Sequence, residues 1–295
     1  MSTVINFLTF FFMSSFIYAG DGTKNSPLIF ALVPGQDSII LKNHGEKLQK
    51  FLENETKLYL NLLIPTNFIT VVESMGTERV DIALMNPFGF LLAESKYSAK
   101  AILKGEYRGK SEYYSQIITH KDGPKKLEDL NNKTFAFVDP VSTSGYILPQ
   151  KVFIENKIKL KETLFAGKHD SVVSMVYQKR VDAGATYHTL PNESGPQDAR
   201  LLVQTQYPDV FKKVVILKTM GPIPSEPIVV RPNLPLDTIE KLKAGLKKFA
   251  QTTEGKETLF KLYHLDNFID AKNADWNELK KTLELIGEDP KKYLK

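Results

Sequence analysis

The chain has 295 residues, 42% of them hydrophobic and 25% charged, which fits a globular protein long enough for two modest lobes and excludes a disordered or fibrous one. Its net charge of +5 is spread along the chain, which suits small anionic partners and argues against a concentrated nucleic-acid surface. There is no cysteine, which excludes disulfides and an N-terminal lipid anchor, and the five histidines are scattered, so neither a metal nor a cofactor is expected.

Residues 1–19 carry no charged side chain, residues 4–16 are mostly apolar, and Ala19-Gly20 closes the run with small residues. The run is too short to span a membrane and reads as a signal peptide cleaved near Ala19. It lacks the usual basic n-region, so an uncleaved anchor is the alternative. A cleaved signal places the mature protein in a Gram-negative periplasm.

Residues 27–33 (PLIFALV) form a short apolar run ending at Pro34-Gly35, the pattern of a buried parallel strand. A helix follows over 45–55, with Leu48, Phe51 and Leu52 on one face. Residues 57–64 are strand-like, 69–75 helical, and 80–85 (VDIALM) form another buried strand, broken at Asn86-Pro87. Alternating strands and helices predict an α/β unit with a parallel sheet. Ligands bind such sheets beyond the carboxyl ends of the strands, where Gln36, Asp37 and Asn86-Pro87-Phe88 fall.

Residues 113–120 form a strand that leaves this unit. A second α/β unit follows, with a strand at 134–138, a helix over 145–156 in which Pro149 is awkward unless the helix starts near Leu148, a helix after His169, and a strand at 181–186. Residues 214–217 are read as returning the chain to the first unit. From Pro235 onward the pattern is two or three amphipathic helices. The expected organisation is a signal peptide at 1–19, a first lobe at 20–117, a second lobe at 118–218, and a return to the first lobe with C-terminal helices at 219–295. Two connections between two lobes make a hinge, with a cleft between them.

The richest segment is Asp139-Pro140-Val141-Ser142-Thr143-Ser144-Gly145-Tyr146, directly after the strand at 134–138. It sets three hydroxyls and free backbone N–H groups at one helix N-terminus, a place that binds oxyanions. The same residue types make an ordinary N-cap and turn. His169 stands at the start of the next helix, where it serves either as an anion donor or as a surface loop residue. Glu226, in a proline-rich stretch, is either a specificity element in the cleft or a solvated loop acid. Tyr114 and Tyr187 line the cleft or belong to the core.

Several catalytic patterns fail. Residues 105–111 (GEYRGKS) are one residue short of a phosphate-binding loop and precede a strand instead of a helix. No G-x-S-x-G motif occurs. Ser144, His169 and Asp170 have triad residue types, but adjacent His and Asp poorly suit triad geometry.

Five ordered features then combine. They are Val80-Asp81-Ile82-Ala83 before Asn86-Pro87-Phe88, Tyr113-Tyr114-Ser115-Gln116-Ile117-Ile118 before His120-Lys121-Asp122, and Leu127-Glu128-Asp129-Leu130 before the Ser142-Thr143-Ser144-Gly145 turn. Gly167-Lys168-His169-Asp170 before Val181-Asp182-Ala183-Gly184, and Ser225-Glu226-Pro227-Ile228-Val229, complete the set. Over nearly the whole mature chain this resembles the phosphate, phosphite and phosphonate substrate-binding proteins of ABC transporters. The resemblance implies a type II periplasmic binding fold, with two α/β lobes joined by two crossing strands around a ligand cleft. It implies that Ser142, Thr143, Ser144 and His169 hold the phosphorus-bound oxygens, and that Glu226 reads a proton or substituent. Asn86, Tyr114 and Tyr187 are the further cleft candidates.

Two departures bear on the ligand. No tyrosine stands beside Met85, Asn86 and Phe88, and no acid falls near Tyr187-His188-Thr189. The function implied is capture of a small phosphonate, phosphite or phosphate ester and delivery to an inner-membrane ABC permease, by a monomer without catalysis. The alternatives are a periplasmic sensor presenting the oxyanion to a histidine kinase, a binder of a different ligand on the same fold, and a hydrolase using Ser144 and His169.

Overall fold

The computed structural model describes residues 20–193 and 195–287. The signal-peptide reading of residues 1–19, and residues 288–295, lie outside the described residues. The chain opens with β1 (Leu28–Leu32), α1 (Ser38–Thr56), β2 (Leu60–Leu63), α2 (Phe68–Gly76), β3 (Ile82–Leu84), α3 (Pro87–Tyr97) and β4 (Lys100–Glu106). It continues with β5 (Glu112–His120), β6 (Thr134–Phe137), α4 (Leu148–Glu155), β7 (Glu162–Phe165), α5 (His169–Tyr177), β8 (Ala183–His188), α6 (Val210–Lys213) and β9 (Val214–Pro224). Last come β10 (Pro227–Val230), α7 (Leu236–Gln251), α8 (Thr253–Tyr263), β11 (Asn267–Asp270) and α9 (Asn277–Leu285).

Two sheets form, ordered β11-β4-β10-β3-β1-β2 and β7-β6-β8-β5-β9. In the first, β1 lies parallel to β2 and β3, and β10 inserts antiparallel between β3 and β4. In the second, β6 lies parallel to β7 and β8, while β5 runs antiparallel to β8 and β9.

The central strands are apolar on both faces because helices cover both faces. Along β1, Leu28, Phe30 and Leu32 join the core under α1, α7 and α8, whereas Ala31 joins the opposite core with α2 and α3. Phe30 is fully buried, and such burial contributes roughly 1.5–3 kcal/mol. The second core runs on into the other sheet, where Ile117, Phe135, Phe137 and Phe153 pack. Leu279 and Leu283 of α9 belong to it too, so the C-terminal helix reaches α4 of the second unit.

Helix α1 begins at Ser38, earlier than its apolar spacing suggests. The Asp37 carboxylate accepts from the N–H of Ile39 at 2.8 Å and of Ile40 at 3.3 Å, so capping chemistry sets the start. Ile39 is 67% exposed, which blurs the apolar stripe over that first turn.

The reading of 214–217 as a return to the first unit does not hold. β9 stays in the second sheet, paired with β5 from Glu112↔Pro224 to His120↔Val214. Val214 is fully buried in the second unit's own core with Val172 and Val176, which is the pull that keeps the strand there. The chain crosses between sheets at 107–111 and at 225–226. The two crossings are tied together where Ser225 N–H donates to Ser111 O at 3.0 Å.

Candidate functional site

After β6 the chain turns through Asp139, whose carboxylate accepts from Val141 N–H at 2.8 Å. It then enters a helical turn, Thr143–Ile147, wound as a π-helix and continuous with α4. Ser142 is its N-cap, with Oγ accepting from Gly145 N–H at 3.0 Å. The N–H groups of Thr143 and Ser144 fall in the first turn, where a helix offers them no acceptor. A Cβ on Gly145 would lie 2.5 Å from Val138 Cγ2, so glycine lets the turn sit directly on the end of the strand. Pro149 lacks the N–H that would reach Gly145 O, and Val138 N–H donates to that carbonyl instead, at 3.2 Å. That bond accommodates the awkward proline.

His169 is the first residue of α5 and is buried. Its backbone N–H donates to Gly35 O at 3.2 Å, reaching from the second unit to the loop after β1. Its ring Nδ1 lies 2.6 Å from Thr186 Oγ1, which leaves Nε2 to the cleft. Burial, reinforced by the His264 imidazole, pushes the His169 pKa down to about 3, so the ring is neutral.

From the first unit, Asn86 caps α3, its Oδ1 accepting from Gly89 N–H at 2.8 Å and from the Thr143 hydroxyl at 3.2 Å. Those two bonds orient the amide, and Nδ2 is left buried without a partner. Thr143 Oγ1 also accepts from Phe88 N–H at 2.9 Å. At the end of α8, Tyr263 OH donates to Val33 O at 2.8 Å, and Gln36 Nε2 donates to Lys261 O at 2.9 Å and to Leu262 O. His264 follows as the left-handed C-cap of that helix.

The crossings supply the rest. Glu226 shares a hydrogen bond with the Tyr113 hydroxyl, and desolvation lifts the Glu226 pKa to about 8. Burial, followed by the Glu226 charge, lifts the Tyr113 phenol well above the ordinary tyrosine value. At neutral pH both groups are therefore protonated.

These residues surround one cavity, lined also by Phe68, Tyr107, Glu112, Thr189 and Ser225, with about 70 Å³ available to the centres of water-sized groups. The hydrogen bonds from Thr143 to Asn86, Phe88 to Thr143, His169 to Gly35, and between Tyr187 and His264 all cross it, so the two units are closed on each other. Of the sequence candidates, Ser142, Thr143, Ser144, His169, Glu226, Asn86 and Tyr187 come together on its wall. Tyr114 does not. Adjacent strand residues point to opposite faces, so Tyr113 takes the cleft, and Tyr114 turns away to donate to Glu112 Oε1 at 3.0 Å.

The sequence reading passed over Tyr113, Tyr107, Tyr263 and His264. A strand-alternation check on residues 112–120 would have found the first. The others sit on a turn and a helix end brought in by tertiary packing. The triad geometry is absent, since Asp170 Oδ1 accepts from Ser171 N–H at 2.8 Å and His169 Nδ1 meets Thr186.

Two α/β lobes, two crossings and a closed cleft between them define a bilobed binding protein of the type II periplasmic fold. The profile of the phosphonate periplasmic substrate-binding proteins of ABC transporters matches residues 30–276, and the chain belongs to that family. It is 26% identical over 249 residues to the phosphonates-binding periplasmic protein of Escherichia coli, covering 81% of this chain and 71% of that protein. It is 28% identical over 183 residues to the phosphate-import protein PhnD of Mycolicibacterium smegmatis, covering 57% of each, so the match spans little more than half of that relative. A binding-protein component of an ABC phosphonate transporter from Pseudomonas aeruginosa shares the fold, with a TM-score of 0.78, 22% identity, and coverage of 88% of this chain and 87% of that one. Among the described residues, no helix is long and apolar enough to cross a membrane.

Proposed function

We propose that this protein captures a small phosphorus oxyanion, such as a phosphonate, phosphite or phosphate ester, in the periplasm. It delivers that ligand to an inner-membrane ABC permease, as a monomer and without catalysing a reaction. The signal peptide is removed near Ala19. The lobe boundaries, expected at 117/118 and 218/219, are proposed to lie nearer the sheet crossings at 107–111 and 225–226, a reading supported by β5 and β9 both belonging to the second sheet.

The observation that carries the reading is the set of donors converging on one cavity. Asn86, whose Nδ2 is buried and unpartnered, lines the same cavity as Ser142, Thr143, Ser144 and His169. A tetrahedral oxyanion needs several donors at once, and a cap needs only one hydroxyl. Among the described residues no Lys or Arg lines the cavity, so uncharged donors and the first helical turn supply the attraction. Protonated Glu226 adds a donor instead of a repelling charge.

Isothermal titration of the ligand-free protein with phosphite, methylphosphonate, inorganic phosphate and 2-aminoethylphosphonate tests the reading. Saturable one-to-one binding of at least one of them supports it. No binding to any of the four overturns it.

A further inference from the structure

Two imidazoles and a phenol form one part of the cavity wall. Tyr187, on β8 of the second lobe, places its hydroxyl 3.0 Å from Nε2 of His264, which follows α8 in the first lobe. The two rings lie 5.2 Å apart, and the His169 ring meets Tyr187 edge-on at 5.0 Å. Phe260 backs the His264 ring at 4.7 Å and so fixes its plane. His264 Nδ1 is buried without a partner. All three polar rings line the cavity. Here the sequence has Tyr187-His188-Thr189 and no carboxylate.

We infer that Tyr187 and His264 form a latch between the lobes, in which His264 is a positioning residue that aims the Tyr187 hydroxyl at the bound oxyanion. The inference rests on the oxyanion reading of the cleft. The hydrogen count leads to it. A phenol has one proton, and a neutral imidazole has one donor and one acceptor. In the empty cleft the phenol proton can rest on His264 Nε2. With an anion present, the pair can reverse. His264 Nε2–H then donates to the Tyr187 oxygen, and the freed O–H donates to the ligand. The reversal needs no movement of heavy atoms, only a change of tautomer, made by proton exchange with solvent while the lobes are apart, in which Nδ1 gives up its proton, Nε2 gains one and Nδ1 becomes the acceptor. A contact made only when the lobes are together ties ligand capture to closure.

A double-mutant cycle tests this, using Tyr187→Phe, His264→Asn and the double variant. Phenylalanine keeps the ring and removes the hydroxyl. Asparagine tolerates the left-handed backbone of position 264 while removing the imidazole. Circular dichroism melts confirm that each variant folds. Phosphite and methylphosphonate are titrated by calorimetry, and their dissociation rates are read by stopped flow. Each single variant should weaken binding about tenfold or more, chiefly through faster dissociation. The double variant should be no weaker than Tyr187→Phe, because His264 acts only through that hydroxyl. Losses that simply multiply, or variants that bind as the wild type does, overturn the latch while leaving the oxyanion reading intact. A wild-type protein that binds neither probe removes the reading on which the latch rests, and the latch with it.

Discussion

The Thr143 hydroxyl bonds across the cleft in both directions, donating to Asn86 Oδ1 at 3.2 Å and accepting from Phe88 N–H at 2.9 Å. It therefore holds the lobes together, which separates it from its two neighbours. Ser142 Oγ is the helix cap, and Ser144 Oγ meets the Tyr113 hydroxyl, which Thr143 also meets.

Single substitutions should resolve those three roles. Ser142→Ala should lower stability by about 1 kcal/mol, the usual effect of losing such a cap. Ser144→Ala should lower stability modestly, by about 0.5–1.5 kcal/mol for the lost bond to Tyr113, and weaken anion binding by roughly 1.5–3 kcal/mol, one hydrogen bond to a charged group. Thr143→Val keeps the shape and removes both bonds across the cleft, so small-angle scattering of the ligand-free protein should report a larger radius of gyration. Calorimetry and thermal melts on the same three proteins complete the comparison. Equal effects from all three would mean that the turn acts as a single unit.

Asn86 carries the next prediction. Its Oδ1 is engaged by Gly89 N–H and the Thr143 hydroxyl, so the amide cannot turn without losing both. Asn86→Asp preserves the cap on α3, because Asp and Asn cap helices about equally well. It replaces the unpartnered Nδ2 with a carboxylate oxygen on a residue that lines the cleft. Oxyanion affinity should fall by about 100-fold or more, since a donor is lost and a like charge is gained. Thermal stability in the absence of ligand should also fall at neutral pH, because the new carboxylate is buried, and should recover as pH drops and the carboxyl is protonated. Retained affinity in calorimetry would place the ligand elsewhere in the cleft.

The parts of this fold that were legible from sequence are those whose burial leaves a period or a punctuation mark. β1, β3 and β6 stand out as short apolar runs, and Asn86-Pro87 and Ser142–Gly145 mark helix starts. α3 escaped because its residues from Pro87 to Ala93 are all buried, so no amphipathic stripe exists to be seen. β7 escaped for the opposite reason, being an edge strand that is mostly exposed. The Ser142–Ser144 turn was readable because its chemistry is contiguous. His264 was not, because its role depends on Tyr187, 77 positions earlier, arriving from the other lobe.

The cleft also sets the pH dependence of stability. Glu226 titrates near 4.5 when unfolded and at about 8 in the closed cleft, so between those values the folded state holds a proton that the unfolded state has released. Its contribution is full below about 4.5 and is lost as pH rises toward 8. His169 and His264 run the other way, from an unfolded value of 6.5 down to about 3 and about 4. Their contribution is full above 6.5 and is lost as pH falls toward those folded values, because the unfolded chain then takes up protons that the buried rings refuse. Below 6.5 two histidines outweigh one glutamate, and above it the glutamate acts alone, so these three groups together place the maximum near pH 6.5. Glu226→Gln removes the decline on the alkaline side. The melting temperature of the variant minus that of the wild type should therefore rise steadily between pH 4.5 and 8 and level off beyond. Calorimetric melts of both proteins across that range decide the matter. A difference that stays constant with pH would mean that Glu226 keeps the ordinary pKa of a solvated carboxylate and does not face a closed cleft.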